Sequence, residues 1–273
     1  MDEVLLKSRL KDAGLSAIRY FDSIGSTNDF ALKWVEQGAA DQSLVFADHQ
    51  TAGRGRMQRR WITEPDSALA FSLVLRPTAE EIPHVQLFSP LGALAICEAL
   101  EAYGLKAQIK WPNDVLLEGK KTAGILLEAI WRDSQPQAVV IGIGVNVAPQ
   151  SIPTTEALLF PATCIESGAG KHVDRLDLLY NILAHYLRWR PRLTSDSFLH
   201  AWEARLAYRD EWVQIEQPGD RQICGRVSGI QPDGSLLIRD NQDKIISVAA
   251  GDLHLRPIQG NHPATPGGFE NVR

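Results

Sequence analysis

Anion chemistry is concentrated in the twelve residues Gln50 to Trp61, QTAGRGRMQRRW, where Gly53 and Gly55 flank Arg54, and Arg56, Arg59 and Arg60 lead up to an aromatic ring. Glycine lets backbone N–H groups approach an anion closely, and guanidinium groups offer fixed donor forks to carboxylate or phosphate oxygens. The segment reads as a compact anion-gripping loop, with solvated surface charge as the alternative for an arginine run taken alone. It is not a dinucleotide fingerprint, because Gln58 stands where the third glycine would be, and no Gly-Lys-Ser/Thr follows as in a P-loop.

A second polar group comprises Lys110, Trp111, Asn113 and Asp114, followed by a Glu118-Gly119 turn and the pair Lys120 and Lys121. Asn113 and Asp114, placed after a proline, are also ordinary turn formers. In the run AVVIGIGVNV, Gly142 and Gly144 allow another group to come near the strand backbone. Asn146 at its end is suited to contact a ligand or merely the backbone.

The elements that must hold these residues follow from periodicity. Ser26-Thr27-Asn28 precedes Phe30, Ala31, Trp34 and Val35 at helical spacing, with Gly38 as the C′ residue, which predicts a helix over 27–37. Strands are expected at 17–21, 43–47 and 68–75, making 48–66 a long connection, and connections of that length inside a compact domain are usually functional or disordered. A helix over 85–103 ends at Gly104. Short strands at 109–111 and 115–117, a strand at 122–130 and another at 138–147 have the rhythm of adjacent hairpins. Asp174 caps a helix with Leu176, Leu179, Leu183, Tyr186 and Leu187 on one face, and a shorter helix spans 198–206. From Trp212 the texture changes to the close-set strands VQIE, GRVSGI, SLLIRD and IISVAA, a small barrel of about 45 residues. The expected organisation is a catalytic domain over 1–210, the barrel over 211–258, and a disordered tail over 259–273.

The 273 residues carry a net charge of -5, which argues against a duplex-binding surface spread over the protein and leaves the arginine cluster as a local positive island. Cys97, Cys164 and Cys224 are widely separated and form no CxxC pair, so buried free thiols are expected rather than disulfides or zinc. The first twenty residues lack a continuous apolar core, unlike a signal peptide, and no run approaches the length of a membrane span. A cytoplasmic protein is the expectation.

Four segments in register, GSTND at 25–29, DHQTAGRGRMQRRW at 48–61, KWPNDVLLEGKKTAGILLE at 110–128 and VIGIGVNV at 140–147, closely resemble those of biotin protein ligases. The likeness extends to GDLHLR at 251–256, similar to the closing strand of that family's SH3-like domain, and covers roughly residues 18–258. It implies an α+β fold: a mixed β-sheet backed by helices, in the class II synthetase-like arrangement, followed by an SH3-like barrel. It implies too that biotin and ATP form biotinyl-AMP with Mg²⁺ present, and that biotin then passes to a lysine of the biotin carboxyl carrier protein of a carboxylase.

Such a reaction sets an anionic acid against a polyanionic nucleotide, so cations must screen repulsion and stabilise the transferring phosphate; Arg54, Arg56 and Lys121 are expected to do so. The resemblance implies that Ser26, Thr27, Asn28 and Gln50 bind the biotin head, with Gly53, Arg54, Gly55 and Arg56 closing over the carboxylate. In the same reading Lys121 reaches carboxyl and phosphate, and Gly124, Gly142 and Gly144 leave room for the ligand. Arg56, Trp61, Lys110, Asn113 and Asn146 would serve the nucleotide. For Ser26 and Thr27 helix capping stays open beside ligand binding, for Trp61 plain core packing, and for Asp114 the choice between metal ligand and base. Gly53 and Gly55 are expected to act as a hinge.

Two departures stand out. Gln58 replaces a glycine usual at that point of the family's loop, and only about twenty residues precede the catalytic motifs, too few for the winged helix-turn-helix domain of bifunctional members. No operator binding is therefore expected. Pairing of the catalytic sheet with a second copy or with the carrier remains open. The competing functions are a lipoate protein ligase of the same fold and a non-catalytic, biotin-responsive regulator. In the barrel, Arg221, Arg226 and Arg239 are offset by acidic neighbours, which favours clasping ATP or the carrier over binding nucleic acid.

Overall fold

The computed structural model describes residues 2–57, 59–153, 160–217, 221–249 and 254–257. Twelve strands and six α-helices are assigned among them, in the order α1 Glu3–Arg9, β1 Ala17–Ile24, α2 Thr27–Glu36, β2 Ser43–Gln50, β3 Ala68–Leu75, α3 Phe88–Glu101, β4 Ala107–Lys110, β5 Asp114–Leu117, β6 Lys120–Arg132, β7 Gln135–Asn146, α4 Ile165–Ala169, α5 Arg175–Trp189, α6 Asp196–Glu203, β8 Trp212–Gln217, β9 Arg221–Ile230, β10 Leu236–Arg239, β11 Ile245–Val248 and β12 His254–Pro257. The first seven strands form one sheet in the order β1-β2-β3-β7-β6-β5-β4. Only β1 and β2 run parallel, so the sheet is mixed. The last five form an antiparallel sheet, β11-β10-β9-β8-β12.

Strand alternation explains both the core and the cleft. Leu44 and Phe46, then Leu69, Phe71, Leu73 and Leu75, then Val139, Ile141, Ile143 and Val145 point to one face, where α3 and α5 cover them. Each such side chain contributes about 1.5–3 kcal/mol when buried, and a one-residue slip would turn the whole row outward. On the opposite face Val45, Val74, Ala138 and Val140 pack beneath Ala31, Trp34 and Val35 of α2. Further along that second face the side chains shrink: Val140 gives way to Gly142 and Gly144, which pair with Ser72 and Ala70 of β3. α2 covers only part of this face, and the shallow strip beside it becomes the cleft.

The second sheet is seated on the first. Trp111 Nε1 donates to the Gly234 carbonyl at 3.0 Å and Gln86 Nε2 to that of Asp233 at 3.2 Å, while Val213, Ile215, Leu236 and Ile238 join the same continuous core as α3 and α5. No helix among the described residues is long and apolar enough to cross a membrane. Cys97 and Cys164 are buried free thiols and Cys224 is half-buried.

Several expected bounds shift. β1 and β2 run on to Ile24 and Gln50 because the two strands stay in register there, so the connection to β3 begins one residue after Gln50. The helix expected from 85 opens with a 3-10 turn at Ile82–Leu87, where Pro83 and the non-helical His84 break the α geometry, and turns α-helical at Phe88. Helix α1 was not legible: it has seven residues, is capped by Asp2, and buries only Leu6. The expected tail at 259–273 lies outside the described residues, as do 251–253 of the GDLHLR segment.

Candidate active site

The cleft floor requires glycine for a steric reason. A Cβ on Gly142 would lie 2.8 Å from Asn28 Cγ, one on Gly144 would lie 2.5–2.6 Å from Nε1 and Cζ2 of Trp61, and one on Gly124 would meet Lys121 Nζ at 3.1 Å. The room these glycines leave is thus filled, in this structure, by the protein's own Asn28, Trp61 and Lys121. Ser26, Thr27, Asn28 and Gln50 are all buried. Gln50 Oε1 accepts from the Thr27 amide at 2.8 Å and from its hydroxyl at 3.0 Å, while Ser26 caps α2 by accepting from Asp29 N at 3.4 Å.

The arginine loop is a small hairpin folded over that floor. Trp61 N donates to Gly53 O at 2.9 Å, Gly55 N to Arg59 O at 2.7 Å, and Met57 turns the tip with φ 56°. Neither Gly53 nor Gly55 has positive φ. Gly53 is needed instead because a Cβ there would collide with the Trp61 carbonyl, so the expected hinge is a point of close backbone contact. The loop's return limb is pinned to β2: Gln50 N donates to Thr63 Oγ1 at 2.8 Å, and His49 Nδ1 lies 2.8 Å from Thr63 O.

Charges are distributed unevenly around the cleft. Arg54 lies on Glu128 and Asp29; burial would lower its pKa, but the two carboxylates outweigh it and hold the guanidinium above its usual range. Arg56 Nη1 donates to Asn113 Oδ1 at 3.1 Å, and Asn113 Nδ2 donates to Ile125 O at 2.7 Å. Lys121 Nζ pairs with Asp114 Oδ1 at 2.6 Å. Lys110 sits 3.9 Å over the Phe160 ring, and burial pushes its pKa down to about 8, opposed by Asp114 and reinforced by Lys121, Arg59 and Arg256.

These groups line a cavity of about 160 Å³ that includes Ser26, Thr27, Asn28, Gln50, Arg54, Gly55, Arg56 and Trp61. Lys110, Asn113, Asp114, Lys121, Gly124, Gly142 and Gly144 complete most of the wall. Gly53 and Asn146 are not part of it; Asn146 Nδ2 donates to Thr163 O at 3.2 Å. Trp61 Nε1 is buried with no hydrogen-bond partner, an orphan donor that a ligand acceptor would satisfy. Sequence reasoning missed Glu128, Asp29 and Ser72 as partners within the site. It also missed Leu255, which reaches the cavity wall from β12, with Arg256 close enough to lower the Lys110 pKa.

Among the described residues no three His, Cys, Asp or Glu side chains converge. Asp114 is the lone carboxylate among the residues lining the cavity, and Lys121 already answers it. Magnesium favours oxygen ligands from one or two carboxylates together with substrate phosphates, so this donor set does not hold the ion on its own.

A mixed sheet carrying a cationic hairpin over a neutral polar floor suits acyl activation, and residues 20–146 match the biotin/lipoate A/B protein ligase family. A biotin–acetyl-CoA-carboxylase ligase of Paracoccus denitrificans is 38% identical over 232 residues, 82% of this chain and 95% of that one. The bifunctional ligase/repressor BirA of Bacillus spizizenii is 34% identical over 242 residues, 86% of this chain and 73% of that protein. The structure of biotin protein ligase from Aquifex aeolicus in complex with biotin and ATP aligns with a TM-score of 0.77 at 27% identity, covering 89% of this chain and all of that one. The chain belongs to the biotin protein ligase family.

Proposed function

We propose that the cleft joins biotin to AMP and then delivers the biotin to a lysine of a biotin carboxyl carrier domain. The observation that carries this is the adjacency of two chemistries: a buried neutral floor of Ser26, Thr27 and Gln50, and a cationic wall of Arg56, Lys110 and Lys121. A ligand with a neutral, hydrogen-bonding head and an anionic tail fits that order, with a nucleotide phosphate beyond it. The relatives named for biotin and for acetyl-CoA carboxylase support the same substrate and acceptor.

In the first step a carboxylate oxygen attacks the α-phosphorus of ATP, a P–O bond forms, and pyrophosphate leaves with the bridging electron pair. Arg56, Lys110 and Lys121 counter the charge on the transferring phosphate. In the second step a neutral lysine amine attacks the acyl carbon, AMP departs, and the nitrogen sheds a proton toward Asp114, the nearby carboxylate. Trp61, packed on Gly144 and Gly124, supplies an aromatic face for the adenine and an N–H for an acceptor atom. Magnesium, held by the nucleotide phosphates rather than by this donor set, would add charge neutralisation there.

Incubation with biotin, ATP, Mg²⁺ and an apo-carrier domain should add one biotin to the carrier by intact mass. Lipoate offered in competition should leave that product unchanged, and its incorporation instead would overturn the biotin assignment. A gel shift tests whether the protein binds an operator, and a sedimentation run whether its sheet pairs with a second copy.

Lys110 gives the reaction a pH signature. Its pKa near 8 in the free protein should rise when phosphates sit beside it, so nucleotide binding takes up protons. The bound form then holds more protons than the free form above pH 8, and ATP affinity should fall by up to about tenfold per pH unit there. Calorimetry at pH 8.5 in buffers of different ionisation heat should report proton uptake, and Lys110→Met should abolish it.

A further inference from the structure

Arg54 shares the loop with Arg56, yet its surroundings are different. Its Nη1 donates to Glu128 Oε1 at 3.0 Å and its Nη2 to Glu128 Oε2 at 2.7 Å, a two-pronged fork. The same Nη2 lies 2.7 Å from Asp29 Oδ1. Its charge is therefore matched by two carboxylates of the protein itself, one from β6 and one from α2. Glu128 is in turn held by Asn28 Nδ2 at 2.7 Å. Ser72 Oγ fixes Asn28 from behind, donating to Asn28 Oδ1 at 2.6 Å, and lies 2.8 Å from Thr27 Oγ1. Thr27 reaches Gln50. A continuous row of polar side chains, rooted in the buried floor of the cleft, presets where the Glu128 carboxylate stands.

We propose that Glu128, assisted by Asp29, is a positioning residue that clasps the 53–61 hairpin onto the sheet through Arg54, so that Arg54 fastens the loop while Arg56 serves the ligand. The register of β6 supports the division of labour. Gly124, Leu126 and Glu128 share the cleft face, where β7 pairs them with Gly144, Gly142 and Val140, and β5 ends its pairing at Gly124. Glu128 thus stands past the end of β5 with its side chain on the loop's side of the sheet. The purpose of the clasp rests on the ligase reading: a mixed anhydride is lost to water unless the cover stays down. The fastening itself does not depend on that reading.

The loop carries its own reporter, since Arg54, Arg56, Arg59 and Arg60 are trypsin sites. Limited digestion of the unliganded protein should show cleavage after Arg56, Arg59 or Arg60 accelerated about tenfold in Glu128→Gln, with the melting temperature nearly unchanged. Arg54→Gln should produce the same acceleration, and the double variant no more than either single one, because partners in one contact are not additive. If Glu128→Gln melts early, Arg54→Gln alone decides the matter. Loop cleavage at the wild-type rate in a folded variant, or additive acceleration in the double variant, overturns the clasp. Where the wild-type protein makes biotinyl-AMP, Glu128→Gln should also release more AMP per biotin transferred. A protein that makes none refutes the ligase reading, and the protease result still judges the clasp.

Discussion

Lys121→Ala should slow biotin-dependent pyrophosphate exchange by about 10²–10³-fold, equivalent to about 2.7–4 kcal/mol of lost transition-state stabilisation, in line with removing one preorganised charge partner. The structure shows how that charge comes to be aimed. Along β6 the even-numbered residues Gly124, Leu126 and Glu128 face the cleft, so simple alternation would send Lys121 to the core. A bulge intervenes: Val115 pairs with Ala123 but Leu116 pairs with Lys121, leaving Thr122 as the extra residue. Thr122 turns inward and is fully buried, while Lys121 lines the cavity. Bulges re-aim side chains in this way. The backbone of Lys121 is fixed from outside the sheet as well, donating to Pro161 O at 2.7 Å and accepting from Thr163 N at 2.9 Å.

The ammonium is held ready by Asp114 at 2.6 Å. Its side chain is still about one quarter exposed, so the pair adds little to folding stability once solvent screening is counted. Lys121→Ala should therefore melt within a few degrees of the wild type while losing exchange activity. Lys121→Arg keeps the charge but not the point geometry and should recover only part of the rate. An exchange rate within about threefold of wild type in the alanine variant would remove Lys121 from the first step.

Which parts of this arrangement the sequence reveals depends on the range of the interaction. Ser26 as a cap, Gly38 and Gly104 as helix stops and the 68–75 strand are local signals, and the structure agrees at each. Composition marked out the loop, with four arginines and two glycines in twelve residues, but by itself left solvated surface charge open beside an anion grip. What stayed hidden is pairing at long range. Arg54 and Glu128 are 74 residues apart, and no periodicity indicates that they meet. The Thr122 bulge is likewise invisible, since a threonine in a strand looks the same whether it faces in or out. Leu255 reaches the cleft, and Arg256 comes near enough to act on the Lys110 charge, through the docking of the second sheet on Trp111 at Gly234, a matter of tertiary placement.

Gly144→Ala should be among the most damaging single-methyl changes at the cleft, lowering adenylation by about 10²-fold, the scale of an ångström-sized misplacement, and destabilising the fold by about 1–3 kcal/mol through overpacking. The added Cβ would overlap the Trp61 indole, and neither partner can give way cheaply: one is strand backbone, the other a rigid ring. Trp61 would have to lift, and with it the hairpin, because Trp61 N is bonded to Gly53 O at 2.9 Å. Arg56 would then lose its alignment with Asn113. Gly25→Ala is the matching control, since nothing lies within 4 Å of its added Cβ and its φ is not positive; it should retain both activity and melting temperature. The overlap can be isolated further. In a Trp61→Ala background the Gly144→Ala change should cost almost no additional stability, because the ring it strikes is gone, while activity stays low for want of the indole. If the two substitutions instead add fully in thermal melts, the glycine is serving something other than the Trp61 contact.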